Sequence, residues 1–210
     1  MLDFVILGGT MKFAKSAGIF AVILSLASMT AVWSAAAQDQ HKAQIDALRK
    51  SLEKYQDYKV AVRDLYLSTV GCVHYSGEKI AGHMEYAKGA MGVHFLNLQV
   101  ISPTLDPAKP QVLIYEPVGD RLRLAAAEWF VPTEVAGTAH PAIFGQKLQG
   151  PMEGHVPLQP KGLHHYDLHV WLWKDNPAGV FSPTNPAIKC PKGSYSFTEQ
   201  APKLVDARGH

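Results

Sequence analysis

The chain has 210 residues, 47% of them hydrophobic and 18% charged, with a formal net charge of +2 at neutral pH. That is enough chain to bury one sizeable core. The charge is too balanced to supply the basic face that nucleic acid or an acidic membrane surface needs.

The first 37 residues stand apart from the rest. After the acidic, apolar decamer MLDFVILGGT, the segment MKFAKSAGIFAVILSLASMTAVWSAAA places Lys12 and Lys15 ahead of an apolar run over 17–26 and closes on Ser34-Ala35-Ala36-Ala37. This is the layout of a secretory signal peptide, with Met11 as the expected start and cleavage before Gln38 or Asp39. The apolar run is shorter than the roughly 20 residues that span a bilayer, which favours cleavage over a retained anchor. Removing 1–37 leaves 18 basic and 17 acidic residues, so the mature domain is close to neutral. The expectation is export, a single globular domain over 38–190 and a polar, fraying tail over 191–210.

Residues 40–68 contain no Pro or Gly, and Ile45, Leu48, Leu52, Tyr55, Val62 and Tyr66 form an apolar stripe at helical spacing. This predicts an amphipathic helix, bent near Gln56-Asp57, with one face on the core. Beyond Gly71 the texture changes to short apolar runs between Gly and Pro. MGVHFLNL (91–98), QVLIY (111–115), RLRLAAAEWFV (121–131) and YDLHVWLW (166–173) are predicted strands. EPVGD (116–120) supplies a tight connection between the second and third. Residues 132–163, rich in Pro, Gly and His, form an irregular stretch of the kind that often carries function. The predicted fold class is α+β: an N-terminal amphipathic helix packed on an antiparallel sheet, with long Pro/Gly-rich loops.

Cys72 and Cys190 are the two cysteines. In an exported chain this even count predicts a disulfide, which on the chain-entropy argument contributes about 4–5 kcal/mol.

Alternation along a strand assigns each polar residue to a face. On this rule Glu116 shares a face with Val112 and Ile114. Glu128 shares one with Leu122, Leu124, Ala126 and Phe130, and His94 lies with Leu96. His165, Asp167, His169, Trp171 and Trp173 fall together on the last strand, where His164 points away. Two carboxylates and several imidazoles thus occupy positions where the pattern asks for apolar side chains, and a lone buried carboxylate is costly without a partner. The expectation is a divalent-metal site on the sheet with His94, His169, Glu116, Glu128 and His165 as ligands. Asp167 supports a ligand histidine, and the carboxylate not bound to metal, Glu116 or Glu128, acts as general base. Zinc, iron and manganese suit this ligand set. Copper is the lesser expectation: His83-Met84, Met91-x-x-His94 and Met152-x-x-His155 pair its ligands, but ten histidines make such proximity common. A different class of protein, a small-ligand-binding module with Tyr115, Trp129, Trp171 and Trp173 lining an apolar pocket, would use the same strands without metal. In either reading the partner is a small molecule, and nothing indicates nucleic acid or, after signal removal, a membrane. No Gly-rich phosphate loop, G-x-S-x-G elbow or C-x-x-C pair occurs, so nucleotide binding, serine hydrolysis and dithiol redox chemistry have no support.

The combination MGVH, LIYEP, AEWFVP, HYDLHVWLWKDNPAG and SPTNPAIKC resembles a group of exported bacterial proteins of uncharacterised function. The likeness runs from about residue 55 to Cys190. It implies export and a single domain, and it supplies no substrate.

Overall fold

The structure is a computed structural model that describes residues 42–193 and 195–206. The expected signal segment 1–37, with Met11 as its start, lies outside the described residues. Among the described residues no helix is long and apolar enough to cross a membrane.

From Gln44 onward the chain forms one compact unit of mixed α+β structure, with few helices and one large sheet. The predicted opening helix is broken into pieces. Residues through 52 are α-helical, a 3-10 turn follows over Glu53–Gln56, and a second helix covers Tyr58–Arg63. The break falls at Asp57, whose extended backbone and side chain, accepting from the Lys59 N–H, cap the second helix. Ile45, Leu48, Leu52, Tyr55, Ala61 and Tyr66 are buried in one cluster with Leu113, Tyr115, Trp129 and Leu168 of the sheet.

Among the described residues nine strands follow: β1 (Leu67–Tyr75), β2 (Gly89–Leu96), β3 (Val112–Val118), β4 (Arg121–Pro132), β5 (Ala142–Ile143), β6 (Gln146–Lys147), β7 (Gln149–Met152), β8 (His165–Trp171) and β9 (Ser196–Glu199). Seven of them form the main sheet in the order β7-β8-β4-β3-β2-β1-β9, while β5 and β6 pair as a separate hairpin. All neighbours in the main sheet run antiparallel except β1 and β9, which are parallel. The sheet is therefore mixed rather than purely antiparallel. Every residue of β8 is buried, as is β4 from Leu124 to Val131. Burial on both faces explains why neither strand shows a clean apolar–polar alternation.

Two irregularities decide which side chains share a face. Between β3 and β4 the register passes from Ile114↔Ala126 to Tyr115↔Leu124, leaving Ala125 as an extra residue. The bulge turns Leu122 and Leu124 to the helix side, while Ala126, Glu128 and Phe130 face the other way. The simple alternation that grouped Leu122 and Leu124 with Glu128 fails there. On β2, Gly92 adopts φ +93°, and a Cβ there would stand 2.7 Å from the Tyr115 carbonyl oxygen. That kink lets Met91 and His94, three residues apart, line the same cavity.

The tail expected to fray supplies β9. Ser196 to Glu199 pair with Cys72 to Tyr75, Ala201 is buried, and Lys203 and Leu204 bridge to His83 and Met152. An edge strand needs few apolar residues of its own, so composition gave no sign of this pairing. The chain is brought there by the Cys72–Cys190 disulfide, whose Cα atoms are 5.4 Å apart. The bridge closes a loop of sequence separation 118, which on the chain-entropy argument stabilises by about 5 kcal/mol. A Cys72→Ser/Cys190→Ser double variant is expected to lose about 2–5 kcal/mol in denaturant unfolding. An unchanged midpoint would show that the bridge adds nothing to this fold.

Candidate metal centre

β4 lies inside the sheet between β8 and β3, and its pairing with β8 sets Glu128 directly opposite His169 and Phe130 opposite Asp167. His165, Asp167 and His169 follow at i, i+2 and i+4 on β8, so all three project from the face turned away from the helices. His94 reaches in from β2, across β3. His94 Nε2 stands 3.4 Å and His169 Nε2 3.7 Å from Glu128 Oε2. Beside them, His165 Nε2 and His155 Nε2 stand 3.6 Å and 3.8 Å from Asp167 Oδ2. Each trio of donor atoms lies within 4.8 Å of one another. One small cavity of about 20 Å³ is lined by members of both, together with Tyr75, Met91 and Glu199.

These spacings are longer than the 2.7–3.2 Å of an ordinary N–H···O hydrogen bond. They lie at or slightly beyond the edge of a coordination tetrahedron: with bonds of 2.0–2.2 Å to a zinc-like ion, neighbouring ligand atoms lie about 3.3–3.6 Å apart. The bonding pattern agrees. Glu128 Oε2, both oxygens of Asp167, both ring nitrogens of His169 and Glu199 Oε1 are buried without a hydrogen-bond partner.

The outer contacts orient the rings. His165 Nδ1 lies 3.1 Å from the Leu163 carbonyl oxygen, so it carries the proton and leaves Nε2 bare toward Asp167. The Tyr75 hydroxyl donates to Glu199 Oε2 at 2.8 Å, and His155 Nδ1 lies 2.8 Å from the same hydroxyl oxygen. With the phenol hydrogen on Glu199, His155 Nδ1 is the donor to the phenol oxygen, and its Nε2 faces Asp167.

Burial and crowding shape the ionisation of the group. Burial, with the neighbouring His169 and His155, pushes His94 down to about 3. Burial also lowers His169 to about 4, although Asp167 opposes it. Burial and the charge of Asp167 drive the Glu128 carboxyl well above the usual carboxylate range. His155 goes the other way: burial would lower it, but Asp167 and Glu199 overcome this and hold it up at about 9. Asp167 stays ionised despite burial because His155 and His165 face it.

The structure thus brings together His94, Glu128 and His169 from the expected ligand set, and places His165 in the adjoining trio. Glu116 is not among them. Val112, not Glu116, stands opposite Glu128, and four residues along β3 amount to about 13 Å. Glu116 is buried at the far end, where both its oxygens accept from Lys174 Nζ at 3.1–3.2 Å and Oε1 also accepts from the Lys189 N–H. The aromatic residues of the binding-module reading do not meet around a pocket. Tyr115 and Trp129 are fully buried on the helix side, donating to the Tyr55 and Asp106 carbonyls. Trp171 packs on the opposite face and donates to Ser182 O. Of the Met–His pairs, Met152 sulfur accepts from the Tyr86 hydroxyl, while Met91 and His94 line one cavity.

His155 and Glu199 were missed. His155 sits in the irregular 132–163 stretch and Glu199 in the tail, segments whose partners only the tertiary fold selects. The available signals were the Met152-x-x-His155 pair and the Pro/Gly/His density of that stretch.

No family model, no curated protein and no solved structure matches the chain.

Lys174→Met would strand the Glu116 carboxylate. Its cost is expected at about 2–3 kcal/mol, below the full penalty for a buried pair because the lysine side chain is 30% exposed. Metal content of that variant should equal wild type. Loss of metal would return Glu116 to the site.

Proposed function

We propose that this is an exported divalent-metal protein whose centre on the sheet, formed by His94, Glu128 and His169, acts on a small molecule. The observation that carries the reading is the spacing of these donor atoms, wider than ordinary hydrogen bonds and close to that of ligands on a shared ion, with Glu128 Oε2 and both His169 ring nitrogens buried without a hydrogen-bond partner. Two imidazoles and one carboxylate suit zinc, iron and manganese. The disulfide and the layout of residues 1–37 support export to the periplasm or beyond.

Three protein ligands leave coordination positions open, which distinguishes catalytic from structural sites, where four protein ligands close the shell. A pocket of about 200 Å³ adjoins the centre and shares Tyr75 and Glu199 with its cavity. That volume suits a small molecule rather than a polymer. Bound metal would supply Lewis-acid activation at the open position. Glu199, with one unpartnered oxygen, takes the general-base role once expected of Glu116 or Glu128, and the Tyr75–His155 hydrogen bond gives the proton a path inward.

The test is elemental analysis of untagged protein isolated from the periplasm, repeated after incubation with zinc, iron and manganese. Wild type is expected to carry stoichiometric metal. Glu128→Gln, which keeps the side-chain shape, and a His94→Ala/His169→Ala variant are expected to lose the ion held there. Metal-free Glu128→Gln should be at least as stable as metal-free wild type, because it removes an acidic group that burial disfavours. Wild type that takes up none of these metals would overturn the reading.

A further inference from the structure

We propose that the centre is dinuclear: His155, His165 and Asp167 form a second divalent-cation site beside the first. The inference rests on the metal reading of the first trio but is carried by different residues. Asp167 is fully buried, and neither of its oxygens has a hydrogen-bond partner. His165 Nε2 and His155 Nε2 converge on its Oδ2 at 3.6 Å and 3.8 Å, again near a coordination edge and beyond a hydrogen bond. A buried carboxylate flanked by two imidazoles would ordinarily accept an N–H from at least one of them at about 2.7–3.2 Å. Here both rings have committed their Nδ1 hydrogens elsewhere, His165 to the Leu163 carbonyl and His155 to the Tyr75 phenol. Each ring is thereby turned with its Nε2 toward Asp167, the nitrogen at which a cation held there would take the place of a proton.

The strand sets the relation between the two sites. Asp167 and His169 are two residues apart on one face of β8, so their Cα atoms stand about 6.6 Å apart. Both trios contain two histidines and one carboxylate, all but His165 line the same cavity, and Asp167 Oδ1 has no hydrogen-bond partner. An entry route exists. The adjoining pocket places Glu78 and Glu199 along its wall, and acidic side chains there favour passage of a cation. Both sites take hard-to-borderline divalent cations such as zinc, manganese or iron(II), because each offers the same nitrogen–oxygen donor set.

Full-length mature protein, freed of metal by a chelator, is titrated with zinc sulfate, desalted and analysed for zinc. Wild type is expected to retain two zinc ions per chain. Asp167→Asn and Glu128→Gln should each retain one, and Glu116→Gln two, with far-UV circular dichroism confirming that each variant is folded. Should Asp167→Asn fail to fold, the wild-type stoichiometry decides alone. Retention of a single zinc by wild type, lost in Glu128→Gln, would overturn the second site while sustaining the first. Two ions in folded Asp167→Asn would also overturn it, by placing the second ion elsewhere. No retained zinc, iron or manganese in wild type would remove both.

Discussion

A folded domain has no stability to spare for buried polar atoms that bond to nothing, and among the described residues all of them but Gln149 Oε1 belong to one cluster. An unsatisfied buried donor or acceptor costs about 1–3 kcal/mol, and a domain's whole stability is about 5–15 kcal/mol. Glu128, Asp167, His169 and Glu199 together bury six such atoms on one face of the sheet. The cavity they surround, about 20 Å³, has room for about one water molecule. A cation shared by several of these lone pairs would satisfy them at once.

The surrounding fold holds that cluster in place. The inner strand β4, from Leu124 to Val131, and its neighbour β8 are buried on both faces, so Glu128 and His169 are fixed by backbone pairing rather than by their own contacts. The Ala125 bulge separates the acidic face from the leucines that meet the helices, and the Gly92 kink turns His94 inward. The disulfide and β9 then bring Glu199 beside Tyr75 and His155, completing the wall on the side of the adjoining pocket. Secondary structure supplies the inner donors and chain crossovers supply the outer ones.

That division also explains what the sequence revealed. Alternation on well-formed strands was enough to nominate His94, Glu128, His165 and His169, and a carboxylate in an apolar register was the informative oddity at Glu128. The same rule misplaced Glu116, because a shared face says nothing about distance along the strand, and Lys174 lies 58 residues from it in sequence. The bulges that rearrange the faces have no signature in apolar patterning. His155 and Glu199 come from a Pro-rich loop and a polar tail, where local composition argues for surface and only long-range pairing argues otherwise. The disulfide needed only a count of two cysteines, whereas the parallel β1–β9 pairing beside it required the three-dimensional fold.

The central claim is that the donor atoms of His94, Glu128 and His169 are spaced by an ion. A crystal of the zinc-loaded protein, measured on both sides of the zinc absorption edge, tests it directly. The account predicts an anomalous peak about 2.0–2.2 Å from His94 Nε2, His169 Nε2 and a Glu128 oxygen. A map without a peak there, with the three side chains instead drawn together at hydrogen-bond distance, would contradict it.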